Sequence, residues 1–399
     1  MSGYVRYVKQ SAKPISSRLR SLDIELTERC NNRCIHCYIN QPENDLSCKI
    51  REMGTALVEG ILKQAADLGC LSVRFTGGEP LLRGDFADLY LFARRLGLTV
   101  SLFTNARLVT PELAGLLARI PPGNPVEVSV YGMHADSYDA VAAVRGAFDQ
   151  FWHGINLLRK YHVPFVVKQS ILPPNRDEHI EFEDFAATLP DINNEPHYTM
   201  NFDLRARRDD PDKNCRIRLL RNSPEETLAM LTKKEPKKYF EEMRQFAAKF
   251  MRPPGDKLFS CGAGRGACID AYGNAQMCML LRHPATVYHM NQEKHQECNP
   301  ETDLLPLDYV LTEFFPEVRQ VRASDPEYLR RCAVCFLKGL CEQCPGKSWE
   351  EHGVLDRPVE YLCQIAHAQA RFLGLVLETE YAWELEPEVQ NARIKKFVE

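Results

Sequence analysis

The feature that most restricts the fold is a repeated change of period along the first half of the chain. Residues 21–27, Ser-Leu-Asp-Ile-Glu-Leu-Thr, alternate apolar and polar positions as a half-buried strand does, while residues 53–68 carry apolar side chains at helical spacing. The alternation continues. Strands are expected at 71–75, 98–104, 126–131, 164–172 and 198–204, and helices at 89–95, 111–119, 148–161 and 182–189. Strands separated by helices form a parallel sheet, and right-handed crossovers bend such a series toward a barrel. Six units are counted, short of the eight of a complete barrel. The expected fold class is therefore α/β, a partial (β/α)6 barrel.

Just past the first strand stands Cys30-Asn31-Asn32-Arg33-Cys34-Ile35-His36-Cys37. The CxxxCxxC spacing puts three thiolates on one tight loop, enough for three corners of a four-iron cluster with the fourth iron left open to a substrate. Structural zinc normally takes four ligands from paired knuckles; no second pair is near, although His36 could supply a ligand. The second strand ends in Thr76-Gly77-Gly78-Glu79-Pro80, where two glycines allow close backbone approach and Pro80 fixes the turn into the next helix. Alone, those residues describe a turn.

With Tyr38 directly after the last cysteine, the loop resembles that of the radical S-adenosylmethionine (SAM) superfamily. The resemblance implies that the open iron chelates the amino and carboxylate groups of SAM. One electron then splits the sulfonium to a 5'-deoxyadenosyl radical, which abstracts a substrate hydrogen. It further implies cofactor-binding roles for Tyr38, for Gly77, Gly78, Glu79 and Pro80 around the SAM amino group, and for Thr104, Asn105, Ser129 and Lys168 along strands three to five. Arg145, in Arg145-Gly146-Ala147-Phe148, would meet the SAM carboxylate, which a guanidinium grips bidentately. From the residues alone, Arg145 is equally a surface arginine at a glycine turn, and Lys168 either lines the barrel or faces solvent.

A second cysteine set runs from Cys261 through Cys268, Gly273 and Cys278 to Cys332, Cys335, Cys341, Cys344 and Cys363. Cys332/Cys335 and Cys341/Cys344 have the form of a zinc ribbon with a short connecting loop. The array as a whole resembles the SPASM extension of the radical SAM superfamily, with eleven residues between Cys261 and Gly273 and four between Gly273 and Cys278. One departure is visible: two residues, not three, separate Cys341 from Cys344. The resemblance implies two auxiliary [4Fe-4S] clusters, one on Cys332, Cys335, Cys341 and Cys363, the other on Cys261, Cys278 and Cys344. Cys268 is either a fourth ligand of the latter or a small buried hydrophobe. Cys48, Cys70, Cys215 and Cys298 match no motif and are read as structural or incidental.

The chain order divides into an N-terminal extension (1–20), the barrel core (21–204), a charged linker or helical bridge (205–256) that includes an amphipathic helix at 239–250, the cysteine-rich SPASM domain (257–370) and an acidic, apolar-poor tail (371–399). At 44% hydrophobic and 26% charged, 399 residues suffice for one large and one smaller domain. A net charge of −4 disfavours a mainly electrostatic nucleic-acid binder. No apolar run of membrane-spanning length or secretory signal is present, so a cytoplasmic location is expected, and fifteen cysteines in such a chain read as metal ligands rather than disulfides.

The expected activity is radical modification of a ribosomally made peptide by a crosslink or side-chain oxidation. It would use three [4Fe-4S] clusters, SAM and an external one-electron donor of flavodoxin or ferredoxin type. Only 29 residues precede Cys30, which leaves no room there for a winged-helix leader-binding domain, so leader recognition through a separate partner protein or through the enzyme's own surfaces is expected. The alternative is the same chemistry on a small molecule or cofactor precursor. A formylglycine-forming sulfatase maturase ranks below both: Met279 stands where those enzymes carry an aspartate base.

Overall fold

The computed structural model describes residues 19–189, 200–201, 210–232, 236–290 and 306–399. The chain folds as two compact units, the first comprising residues up to 201 with 263–279 and 284–316, the second the remainder.

The first unit is built on six parallel strands in chain order: β1 (Ser21–Thr27), β2 (Ser72–Gly77), β3 (Thr99–Thr104), β4 (Val126–Val130), β5 (Phe165–Ser170) and β6 (Met200–Asn201). Between them run α1 (Thr55–Asp67), α2 (Phe86–Arg95), α3 (Pro111–Arg119), α4 (Ala135–Ala142), α5 (Ala147–Lys160) and α6 (His179–Ala187). This is the expected open α/β barrel. Three short strands, β7 (Ala267–Ile269), β8 (Asn274–Gln276) and β9 (Val287–His289), extend it beyond β1, giving the order β9-β8-β7-β1-β2-β3-β4-β5-β6. The sequence expectation assigned these strands to a cysteine-rich domain; in space they are the sheet's edge, because β7 pairs in parallel with β1.

Strand alternation decides which face is buried. Leu22, Ile24, Val73, Phe75, Val100 and Val128 lie fully buried on the face the helices cover, each contributing about 1.5–3 kcal/mol. The opposite face carries Asp23, Arg74, Phe103, Glu127, Ser129 and Lys168. Helix starts follow local chemistry: Thr110 accepts a hydrogen bond from the Leu113 amide at 3.2 Å and Pro111 occupies the first turn of α3.

The second unit is helical. Within the charged stretch read as a linker, Pro211–Leu219 and Pro224–Thr232 are helices, as is α7 (Pro236–Phe250). They are followed by α8 (Pro345–His352), α9 (Glu360–Phe372) and α10 (Pro387–Val398). The tail is part of this unit: Ile394, Phe397 and Val398 pack on a core that includes Ala247, Phe336, Leu337 and Ala370. Among the described residues no helix is long and apolar enough to cross a membrane.

Candidate active site

The cysteine loop follows β1 and is held from both sides. Arg29, at its start, pairs with Glu52 at 2.8 Å and donates to the Glu43 carbonyl at 2.9 Å. The Arg33 and Ile35 amides donate to the carbonyls of Ala142 and Val141 at 2.9 and 3.0 Å, which docks the loop on the end of α4. Arg107 donates to the Asn31 carbonyl at 2.6 Å and to the Asn32 side chain, and its other nitrogens reach Gln150 at 3.1 and 2.7 Å. Cys30 and Cys34 are buried and Cys37 is half-buried. Burial, with the Glu79 carboxylate and Cys34 beside it, pushes the Cys30 thiol far above the usual range. Such a thiol stays protonated until a cation takes its sulfur and displaces the proton to solvent, which fits a metal cluster.

The Gly77-Gly78-Glu79-Pro80 turn is welded to the same loop. The Gly78 amide donates to the Thr27 carbonyl at 2.7 Å and the Glu79 amide to the Arg29 carbonyl at 2.9 Å. A Cβ on Gly77 would lie 2.2 Å from the Thr27 oxygen, and one on Gly78 equally close to the Arg29 oxygen. Gly77 also has φ +118°, a conformation open to glycine. Here the glycines are required by backbone approach, beyond what a simple turn needs.

Glu79 is fully buried and accepts from the Leu81 amide at 3.1 Å, the Thr104 hydroxyl at 2.9 Å and the Asn105 amide at 2.8 Å. Burial outweighs these donors and pushes its carboxyl up to about 7. The Asn105 side chain then reaches Asn31 at 2.7 Å. Cys30, Glu79, Thr104 and Asn105 are thus brought together at the ends of three adjacent strands, where catalytic groups of parallel barrels collect.

Other expected residues lie elsewhere. Ser129 and Lys168 are register partners on β4 and β5, on the face away from the helices. Lys168 pairs with Glu127 and stands 4.7 Å from the Phe103 ring centre, so its charge is engaged within the sheet. Tyr38 is half-buried in the loop. Arg145 lies in the turn between α4 and α5, beside Gly146 at φ +77°, with no hydrogen bond or ion pair among the described residues.

Three neighbours of the loop were not singled out from sequence. Arg107 is the first. Tyr131 and Tyr138 are the others: their rings stand 5.4 Å apart, Tyr131 is 5.9 Å from His36, and burial, reinforced by Cys34, pushes both hydroxyls well above their usual range. Strand β4 runs straight into Tyr131, but nothing in the local pattern says which loop it underlies. Arg107→Ala should loosen the cysteine loop, cost about 2 kcal/mol of anchorage and slow SAM cleavage on the order of tenfold. Unchanged cleavage and iron retention would remove Arg107 from this role.

In the second unit Cys332, Cys335, Cys341 and Cys363 line one pocket. Burial, with Cys341 and Cys363 near, pushes the Cys332 thiol up to about 12, and burial pushes Cys341 equally far. Cys363 arrives from α9, whereas Cys344 turns away to cap α8, its sulfur accepting from the Lys347 amide at 3.5 Å. The zinc-ribbon grouping of Cys332, Cys335, Cys341 and Cys344 therefore does not form one site. Among the described residues, moreover, no three Cys, His, Asp or Glu side chains converge on a single ion. Four thiols spread around a cavity, each held protonated by burial, fit a larger cationic group such as a four-iron cluster.

Burial also pushes the Cys344 thiol up, and Cys261 in the same unit adds to this. Cys278 is half-buried in the barrel unit, and Cys268 is fully buried in β7, in register with Asp23. Cys48 and Cys70 are buried, Cys215 is exposed, and Cys298 lies outside the described residues.

The three-cysteine loop past β1 is thus laced to a buried glutamate past β2 within one parallel barrel. Residues 24–187 match the Radical SAM superfamily; the chain carries a radical SAM domain and is a radical SAM enzyme. That domain implies SAM and a four-iron cluster as cofactors. Among curated relatives, the AdoMet-dependent heme synthase of Methanosarcina barkeri is 25% identical over 341 residues, 82% of this chain and 92% of that protein. Shorter matches span less than half of their relatives, such as the PqqA peptide cyclase of Gluconobacter oxydans, 43% identical over 97 residues, 24% of this chain and 26% of that one. Two solved structures share the fold. Streptococcus suis SuiB bound to precursor peptide SuiA superposes with TM-score 0.59 and 18% identity, covering 87% of this chain and 76% of SuiB. The structure of anSMEcpe with AdoMet and a peptide bound gives 0.59 and 15%, covering 95% of this chain and 99% of that one.

Proposed function

We propose that this enzyme cleaves SAM reductively and uses the resulting radical to modify a ribosomally made peptide. The observation that carries this reading is the second cysteine pocket, built of Cys332, Cys335, Cys341 and Cys363, in a chain whose fold also supports the two peptide-bound structures. The chemistry a cluster on Cys30, Cys34 and Cys37 supplies when bound is one-electron cleavage of SAM to a 5'-deoxyadenosyl radical, which takes a hydrogen atom from the substrate.

The chain's own residues do the rest. Glu79 presents a buried carboxylate to the SAM ammonium, held by the Thr104 hydroxyl and the Asn105 backbone amide, while the Asn105 side chain donates to Asn31. Gly77 and Gly78 keep this carboxylate in register with the cysteine loop. Arg145, at its turn, grips the SAM carboxylate, and Ser129 faces the same interior. Cys332, Cys335, Cys341 and Cys363 would hold one auxiliary cluster, and the sequence pattern alone offers Cys261, Cys278 and Cys344 for another; such clusters would supply one-electron transfer. A flavodoxin or ferredoxin supplies the first electron, and a separate partner protein or the enzyme's own surface binds the leader.

A second reading, chemistry on a tetrapyrrole or another cofactor precursor, is supported by the heme synthase relative, which matches most of this chain. Anaerobic reconstitution with SAM, dithionite and either peptides encoded beside the gene or iron coproporphyrin separates the two by mass spectrometry. About twelve iron atoms per chain and a peptide mass change are expected. Conversion of the porphyrin with every peptide unaltered would replace the peptide reading by the second, and formylglycine in a sulfatase peptide would contradict the reading of Met279. Bound zinc with no SAM cleavage would overturn both.

A further inference from the structure

The four-cysteine pocket holds N–H donors that nothing within it accepts. Arg331 Nη2 donates to Cys363 Sγ at 3.3 Å and pairs with Glu360 at 2.9 Å, while its guanidinium stands 4.4 Å from the Trp383 ring centre. Arg331 Nε and Trp383 Nε1 are both buried without a hydrogen-bond partner among the described residues, and both residues line the pocket. Buried donors in folded proteins are nearly always satisfied, so two orphans on residues that line one cavity point to an acceptor bound there. Sulfide and thiolate sulfurs are such acceptors.

His367 keeps this arrangement rigid. Its Nδ1 contacts the Cys363 carbonyl at 2.8 Å, and its Nε2 accepts from the Ala382 amide at 3.1 Å, which makes Nδ1 the protonated nitrogen of a neutral ring. That ring meets Trp383 edge-on at 4.8 Å. One imidazole thereby ties the cysteine on α9 to the turn that carries the tryptophan.

We propose that Arg331 and Trp383 are positioning residues that raise the reduction potential of a four-iron cluster in this pocket, by N–H donation to sulfur and by the arginine's positive charge. This rests on reading Cys332, Cys335, Cys341 and Cys363 as its ligands. Reduction adds one electron and moves no atom, so whatever stabilises the extra negative charge favours the reduced form. Trp383 lies in the tail, and its N–H is spent on no other group among the described residues.

The test uses the full chain with Cys30, Cys34 and Cys37 replaced by alanine, which silences the SAM-cleaving cluster. Iron and sulfide are assayed, and midpoint potentials are then read by EPR-monitored titration for this parent and for Arg331→Gln, Arg331→Lys and Trp383→Phe within it. At unchanged iron content, one signal is expected to shift to lower potential in Arg331→Gln and Trp383→Phe, and by less in Arg331→Lys. Unchanged potentials at full iron content overturn this proposal alone. A parent that binds no iron overturns the ligand reading and the proposal together. Should Arg331→Gln lose iron, Trp383→Phe decides, because it keeps an aromatic ring and removes one N–H.

Discussion

Gly78→Ala should abolish SAM cleavage and lower the melting temperature, while Gly84→Ala leaves both unchanged. The new methyl on residue 78 would stand 2.2 Å from the Arg29 oxygen and 2.7 Å from the Glu28 oxygen, both backbone atoms that have no rotamer to escape into. Ordinary overpacking costs about 1–3 kcal/mol when side chains can shift. Here the cysteine loop itself must move away from β2, so a cost at the upper end of that range, roughly 6–10 °C in melting temperature, is expected together with loss of the Gly78–Thr27 and Glu79–Arg29 hydrogen bonds. At Gly84 nothing lies within 4 Å of the place a methyl would take, which makes it the matched control. Full SAM cleavage by Gly78→Ala would show that the loop and the turn are not mechanically linked.

The second large effect is one of pH. The Glu79 carboxyl titrates at about 7 in the folded protein against an ordinary 4.5, because burial penalises its charge more than three donors relieve it. A group raised in this way contributes stability that is fully present below pH 4.5 and is lost as pH rises through 7. The metal-free protein should therefore lose on the order of 3 kcal/mol of its advantage over Glu79→Gln between about pH 5 and pH 8. SAM binding should move the opposite way, tightening through about pH 7 as Glu79 ionises to meet the ammonium group. Thermal melts of both proteins across that range, with SAM titrations beside them, check the pair of trends. A difference curve that stays flat would rule out Glu79 as the titrating group.

How much of this was legible in the sequence depended on whether the signal was local. Helix α3 begins and ends where its pattern says, because Thr110 and Pro111 mark its start within the segment itself. The Gly77-Gly78-Glu79-Pro80 turn was visible, and so was its place after a strand. The aromatic pair Tyr131 and Tyr138 and the anchor Arg107 were not, since each reaches the cysteine loop only through docking of α4 and β3 against it. The second pocket marks the same boundary. Spacing groups Cys344 with Cys341, but α9 carries Cys363 back to the cavity while Cys344 caps another helix. Trp383 belongs to a tail whose composition gave no sign of a core, yet Ala382 beside it is fully buried. Long-range return of the chain, which one-dimensional periodicity does not encode, accounts for these differences.

The strand β7, which pairs with the outer edge of β1, gives the barrel an unusual history on the ribosome. Leu22 pairs with Ala267, far downstream in the chain, so β1 emerges early and its outer edge stays bare while most of the polypeptide is still being made. Contacts of such sequence separation form slowly, and an unpaired edge invites pairing with another chain in the meantime. A fragment ending after β6 would carry all six barrel strands and still lack the partner that closes β1, and would aggregate more readily than the full chain. The residues that complete the sheet are thus also the ones that decide when its nascent edge stops being sticky.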